Sequence, residues 1–177
     1  MSAKPPWSNA AHEVGDPGDA GQGAILKMPA VRTRQDVIYV DRSVWCAYCF
    51  KQAESAAAIQ WLASVDMARL CASWWIETEF ASALGIQLCG ERLNVAQARA
   101  ARAAFAQLMD MARRLNVVEQ DFLQAAEWCA TPGGKLRGGD ALHLAIAQRH
   151  GCTHLASLDK DMQAAAQQQR MKLVEWT

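Results

Sequence analysis

The chain has 177 residues, 51% of them apolar, and its 18 basic side chains are balanced by 18 acidic ones. These totals fit one folded domain with a sizeable core. The zero formal net charge argues against binding nucleic acid by bulk attraction, although a local basic patch stays compatible with it.

The N-terminal part of the sequence carries no folding pattern. Residues 1–35 hold Pro, Gly, Asp and Asn without an apolar period, which predicts a disordered extension before a folded domain at 36–177. Met28 is an alternative start of the native chain. No apolar signal segment and no apolar run of membrane-spanning length is found, so we expect a cytoplasmic protein with reduced thiols and no membrane partner.

Strands and helices alternate from residue 36 onward. The predicted strands cover residues 36–41, 68–73, 116–119, 153–158 and 172–176. The predicted helices cover residues 42–50, 53–65, 74–88, 94–115, 121–130, a segment beginning at Asp140, and 161–169. Short apolar strands that alternate with helices predict an α/β fold with a mainly parallel sheet flanked by helices.

The cysteines include one close pair. Cys46 and Cys49 form a CxxC motif, but no second pair and no histidine at zinc-finger spacing accompanies them. We favour core or partly buried thiols, with a zinc or redox site as the alternative.

Two aspartates are expected at one edge of the sheet. Asp41 ends the first predicted strand and Asp159 follows the fourth, and the carboxyl ends of parallel strands share an edge. Asp140 and Asp159 are also candidates for helix N-caps. Ser43 is predicted to cap the first helix, which leaves Asp41 without a capping role, so its burial would require pairing, solvation or a metal.

A fourth acid lies on a helix. Glu79 borders an apolar stripe that includes Ile76 and Phe80, which favours either a carboxylate aimed at a pocket or an ordinary boundary residue. Crowded carboxylates select hard cations such as Mg²⁺ or Mn²⁺, which activate water and stabilise phosphate charge. Neither a phosphate-binding P-loop nor a G-x-S-x-G elbow is found, so those enzyme classes are unsupported.

Four segments together resemble a known family. They are "YVDRSVW", "ETEFASAL", "LRGGDALHLAIAQRHG" and "LASLDKDM". In order and spacing they resemble a PIN domain, most of all the VapC-type toxins of bacterial toxin–antitoxin pairs, over about residues 37–174. The resemblance implies a PIN-like three-layer fold and a metal-dependent endoribonuclease that cleaves RNA and inhibits translation.

The resemblance also assigns roles to residues. Four acids would form the catalytic site, two binding one Mg²⁺ or Mn²⁺ directly and two acting through water or a second ion: respectively Asp41 and Asp140, and Glu79 and Asp159. Ser43 and Ser157 would orient carboxylates or water. His143 would be a scaffold residue, with metal ligation as the lesser alternative.

Scattered cations are the candidates for binding RNA. They are Arg42, Arg92, Arg137 and Lys160. Arg42 stands where the family usually has Thr or Ser, and Arg137 is assigned evenly to an RNA phosphate or a structural ion pair. The expected substrates are single-stranded loops of tRNA or rRNA, recognised by shape.

The implied partners are a small antitoxin, whose cationic side chain would enter the acidic site, and a second copy of the chain. Trp45, Phe50 and Trp61 are expected either to line the antitoxin groove or to belong to the core. Three rival functions stay open: a PIN nuclease of RNA processing, a non-catalytic RNA- or protein-binding module, and a phosphatase or DNA nuclease with the same ligands.

Overall fold

The computed structural model describes residues 36–50, 55–132 and 135–176. The predicted extension over residues 1–35 lies outside this described part. The strands are β1 (Ile38–Val40), β2 (Leu70–Ser73), β3 (Arg113–Leu115), β4 (His154–Ala156) and β5 (Lys172–Leu173). The helices are α1 (Arg42–Cys49), α2 (Ser55–Ser64), α3 (Trp75–Cys89), α4 (Val95–Met111), α5 (Glu119–Cys129), α6 (Gly138–Arg149) and α7 (Lys160–Gln168).

The five strands form one parallel sheet in the order β3-β2-β1-β4-β5. Ile38 of the central strand faces Leu70 on one side and His154 on the other. The chain builds outward from β1 to β3 and then continues on the other side of β1. The order therefore reverses between β1 and β4, and in open parallel sheets a ligand crevice lies at such a reversal.

Side chains of the central strand alternate between two core layers. Ile38 and Val40 pack with Trp45 of α1 and Phe80 of α3 in one cluster. Tyr39 faces the other way, into a cluster with residues of α6 and α7. Because both faces of the sheet are covered, strands of three or four residues are long enough to be buried, and the predicted three-layer α/β fold is confirmed.

A partly buried ion pair joins α5 to α6. Arg149 Nε lies 2.6 Å from Asp121 Oδ1, and Arg149 Nη2 donates to Asp121 Oδ2 at 2.9 Å. Burial alone would raise the pKa of Asp121, which is 1% exposed, but the hydrogen bond and charge of Arg149 lower it. The same guanidinium donates to the carbonyl of Asn116 at 2.6 Å, so the pair also fixes the loop before α5.

One predicted strand is wrong. The segment 116–119 is not a strand; β3 lies three residues earlier and α5 begins at Glu119. The Asp121 carboxylate accepts a hydrogen bond from the Val118 amide at 2.9 Å, so the chain enters a helix where β-branched residues had predicted a strand. The cap predicted at Asn94 is confirmed, and Gln97 completes a capping box with it.

The thiols behave as packing groups. Burial raises the pKa of Cys46 and that of Cys49 to about 12, which leaves both protonated at neutral pH. All six cysteines are free, so the CxxC motif forms no disulfide. Within the described ranges no helix has the length and apolarity needed to cross a bilayer.

Candidate active site

Asp41 sits at the carboxyl end of β1 and is only 5% exposed. Its Oδ2 accepts hydrogen bonds from the Ser43 amide at 3.1 Å, the Ser43 hydroxyl at 2.5 Å and the Ser157 hydroxyl at 3.1 Å. Asp41, and not Ser43, is therefore the N-cap of α1, because the extended backbone of Asp41 aims its carboxylate at the first-turn amides. Ser43 Oγ instead accepts from the Leu158 amide at 2.9 Å.

Asp159 caps α7, as one of its two interpretations predicted. Its Oδ1 accepts from the Met162 amide at 2.9 Å, and its own amide donates to Ser157 Oγ at 3.1 Å. Ser157 thus connects Asp41 and Asp159 across the reversal between β1 and β4. Capping and a place in the acidic site are compatible, since the cap uses one carboxylate oxygen.

Asp140 is not a helix cap. The N-cap of α6 is Arg137, the helix begins at Gly138, and Asp140 is the third residue of its first turn. The pKa of Asp140 is raised to about 6, first by burial and then by the charges of Asp41 and Asp159, with a smaller contribution from Glu79. All three other acids therefore lie within electrostatic range of Asp140, as the sequence had placed them.

Glu79 points from the first turns of α3 toward α6, and its side chain is 15% exposed. One oxygen, Oε2, pairs with His143 Nε2. The other, Oε1, would be 3.3 Å from a Cβ placed on Gly139. The boundary position predicted from the apolar stripe is thus a carboxylate buried against the start of α6.

His143 is a buried scaffold residue. Its Nε2 faces Glu79, and its Nδ1 lies 2.5 Å from the Tyr39 hydroxyl and 3.5 Å from the Ser73 hydroxyl. Both ring nitrogens are engaged within the protein, which supports the scaffold interpretation over metal ligation. The sequence patterns did not indicate Tyr39 or Ser73. The signal that could have found them is a polar side chain on a strand that is buried on both faces.

The donor chemistry of the acidic site suits a hard divalent cation. Carboxylate and hydroxyl oxygens are the ligands that Mg²⁺ and Mn²⁺ prefer, and the charge repulsion that raises the pKa of Asp140 is what such a cation relieves. The described residues, however, contain no group of three or more His, Cys, Asp or Glu arranged to hold an ion. Hydrogen bonds already engage one oxygen each of Asp41, Glu79 and Asp159.

A groove of about 410 Å³ opens beside the acids between α1 and α3. Arg42, Ser43 and Asp159 line its polar end, while Phe50 and Ile86, which is 57% exposed, line its apolar side. The groove thus joins an apolar surface to the acidic site.

The three aromatic residues proposed for this groove have different outcomes. Trp45 and Trp61 are buried in the core, which agrees with the second of their two interpretations. Both fill the layer beneath the sheet, where large apolar side chains gain most from burial. Phe50 is buried too, yet it forms part of the groove wall.

The cations divide by position. Arg42 and Lys160 are the first residues of α1 and α7, Arg137 caps α6, and all three are exposed where the helices leave the acidic edge. Arg92 follows the far end of α3, a helix of 15 residues that spans about 22 Å. The structure therefore places Arg92 away from the acids, at the opposite end of α3.

Comparison with known proteins agrees with this architecture. The PIN domain family model matches residues 38–168. Similar solved structures include Mycobacterium tuberculosis VapC20, described as a sarcin-ricin loop cleaving toxin, at 25% identity and TM-score 0.60, covering 72% of this chain and 94% of that one.

Two further solved structures share the fold. Neisseria gonorrhoeae FitAcB has 18% identity and TM-score 0.61, covering 78% of this chain and 97% of its own. A Klebsiella pneumoniae toxin–antitoxin complex has 17% identity and TM-score 0.51, covering 80% and 98%. No curated protein matches the chain. Motifs, sheet order and family match lead to one conclusion: the chain belongs to the PIN domain family.

Proposed function

We propose that the protein is a metal-dependent endoribonuclease of the VapC toxin type. The observation that carries the proposal is the gathering of four acids at the reversal point of a parallel sheet: Ser157 links Asp41 to Asp159, Glu79 faces the first turn of α6, and Asp140 lies in that turn. The charges of the other three acids, together with burial, raise the pKa of Asp140 to about 6. Membership of the PIN family and the similarity to a loop-cleaving VapC toxin support it. All four acids are present, which speaks against a non-catalytic binding module.

Each acid has a role in this proposal. Asp41 and Asp140 hold one Mg²⁺ or Mn²⁺, while Glu79 and Asp159 bind through water or help hold a second ion. When bound, the ion supplies Lewis-acid activation of water and neutralises charge at the scissile phosphate.

The serines position the first ligand. Ser43 and Ser157 donate hydrogen bonds to the same oxygen of Asp41. These bonds hold the other oxygen of Asp41 in one direction, which orients it without the mobility of a solvated carboxylate.

RNA is the proposed substrate, bound at its phosphates by Arg42, Arg137 and Lys160. These exposed cations surround the acids at three helix starts, and the zero formal net charge calls for recognition of RNA shape over bulk attraction. Single-stranded loops of tRNA or rRNA are the expected targets, and cleaving them would inhibit translation in the cytoplasm.

An antitoxin is the proposed partner of the groove between α1 and α3. A segment lying on Phe50 and Ile86 would reach Asp159 and Arg42 at the polar end, where a cationic side chain would pair with the acids. A structural neighbour is itself a toxin–antitoxin complex. We also expect a homodimer, which sedimentation analysis would detect.

The test is an RNA cleavage assay with purified protein freed of antitoxin. Total tRNA and a single-stranded RNA are incubated with Mg²⁺, Mn²⁺ or EDTA, using wild type, Asp41→Asn and Asp140→Asn. Asp110→Asn is the matched control, since it removes one exposed acid from α4. We expect metal-dependent cleavage that both site variants lose, by at least about 100-fold, and the control retains. Cleavage that survives in the site variants would contradict the proposal.

A further inference from the structure

A buried hydrogen-bond chain runs beneath the acidic site. Tyr39 on β1 and His143 on α6 are both 0% exposed, and their side chains meet at 2.5 Å between the Tyr39 hydroxyl and His143 Nδ1. His143 Nε2 in turn pairs with Glu79 Oε2. The chain thus passes from the middle of the core to one of the four acids.

The direction of the hydrogen bonds follows from donor and acceptor chemistry. The Glu79 carboxylate only accepts, so His143 Nε2 carries the proton that faces it. When the ring is neutral, Nδ1 is an acceptor and the Tyr39 hydroxyl donates to it.

This chain of hydrogen bonds determines which oxygen of Glu79 stays outside it and can face the acidic site. Oε2 is held by His143, while Oε1 lies against Gly139, where a Cβ would come within 3.3 Å of it. Gly139 immediately precedes Asp140 on α6. Oε1 therefore faces the first turn of α6, beside Asp140, in a space that a Cβ at position 139 would narrow.

We propose that His143 is a positioning residue: it holds one oxygen of Glu79 and thereby presents the other to the metal site. The proposal rests on the function proposed above. Without the imidazole, Glu79 would keep the repulsion of Asp140 and lose the bond that opposes it, so the carboxylate would rotate away.

The experiment compares three variants and a control on the full chain. His143→Leu removes both hydrogen bonds, His143→Gln keeps an amide donor for Glu79, and Tyr39→Phe removes only the far donor. His150→Gln is the control, because His150 lies at the end of the same helix, away from the acids. Each protein is titrated with Mn²⁺ and assayed for kcat and KM on single-stranded RNA.

We expect His143→Leu to weaken Mn²⁺ binding about 10- to 100-fold and to lower kcat with little change in KM. His143→Gln should recover most of both losses, Tyr39→Phe should lose less than His143→Leu, and the control should match wild type. A folded His143→Leu protein with wild-type Mn²⁺ affinity and kcat would overturn the proposal. So would a folded His143→Gln protein as impaired as His143→Leu, because the donor would then be irrelevant.

A spectroscopic readout separates this proposal from the nuclease proposal. In wild type the His143 Nε2 proton should give a downfield NMR resonance, slow to exchange, that Glu79→Leu abolishes. If wild type cleaves no RNA but shows this resonance and the graded Mn²⁺ affinities, the nuclease function fails and the positioning role stands. If the resonance is absent from wild type, or persists in Glu79→Leu, the positioning role fails even where RNA is cleaved. Where His143→Leu does not fold, His143→Gln, Tyr39→Phe and the resonance decide.

Discussion

The two ends of α6 face opposite electrostatic conditions. At the C-terminal end Asp121 faces the guanidinium of Arg149, and its pKa is lowered. At the N-terminal end Asp140 faces three other acids, and its pKa is raised to about 6. The same helix therefore begins with an acid that its neighbours repel, Asp140, and ends with a base that is paired, Arg149.

This difference separates structural from functional use of charge. A carboxylate that only joins helices is best paired, as Asp121 is, because an unpaired buried charge lowers stability. The acidic end instead keeps charges whose repulsion a divalent cation would remove. The serine hydroxyls donate hydrogen bonds to Asp41 and stabilise its carboxylate without cancelling the negative charge.

The largest expected change in stability is at the C-terminal end of α6, where Asp121 is paired with Arg149. Asp121→Asn leaves the Arg149 charge without its counter-ion, and breaking such a pair costs about 3–5 kcal/mol when both partners are buried. Because Arg149 is 29% exposed, we expect a smaller loss, on the order of 2 kcal/mol, in urea unfolding at pH 7. Glu127→Gln on the exposed face of α5 is the control. A loss no larger than that of the control would show that the pair does not stabilise the fold.

The next largest change is at the N-terminal end of α6, where substituting Asp140 is expected to raise the stability of the fold. Since folding raises the pKa of Asp140 to about 6, its contribution to stability is present below about pH 4 and is lost as the pH rises through 6. Asp140→Asn imitates the protonated acid. In EDTA it should match wild type near pH 4 and exceed it at pH 8 by on the order of 1 kcal/mol, or a few degrees in Tm. If wild type and Asp140→Asn were equally stable at both pH values, the raised pKa of Asp140 would be refuted.

A third test concerns the serine bridge. Ser157→Ala removes the hydroxyl that donates to Asp41 and accepts from the Asp159 amide, and we expect a loss of about 1 kcal/mol in urea unfolding at pH 7. Ser64→Ala, which removes a hydroxyl bonded within α2, is the control and should change stability by less than about 0.5 kcal/mol. If both variants behave alike, the bridge adds nothing specific to the acidic end.

The smallest effect is that of salt. Raising NaCl to about 0.5 M should screen the acids from one another and narrow the pH 8 stability gap between Asp140→Asn and wild type by a few tenths of a kcal/mol. The shorter-range Asp121–Arg149 pair, with two direct hydrogen bonds, should respond less. A gap that salt leaves unchanged would mean that burial alone raises the pKa of Asp140.

Much of the fold was predictable because its signals are local. Apolar strands that alternate with helices predicted the parallel sheet. Asn94, a residue type typical of helix N-caps, indicated the start of α4. The strand predicted at residues 116–119 failed because its outcome depends on Asp121 and on Arg149, which is 28 positions from Asp121 in the sequence. A short run of β-branched residues gives no indication that a residue as distant as Arg149 will favour a helix there.

The proximity of the four acids was predictable, and their hydrogen bonds were less so. Strand ends and the family resemblance brought Asp41, Glu79, Asp140 and Asp159 together. The cap of α1 was assigned to Ser43 instead of Asp41, because the Asp41 carboxylate both caps α1 and accepts a hydrogen bond from Ser157, which follows β4. The Tyr39 bond to His143 spans 104 positions, and only the folded chain shows it.

The position of β1 in the middle of the sheet sets the order in which the protein can become active. β1 pairs with β2 soon after both are synthesised, but its other neighbour, β4, begins at His154. The hydrogen bond from Ser157 to Asp41 closes a loop of 116 positions, and long loops close late in folding. Until then the nascent chain holds Asp41 and Glu79 without Asp140 and Asp159. The acidic site of a chain under synthesis is thus incomplete until the segment after β4 has been made.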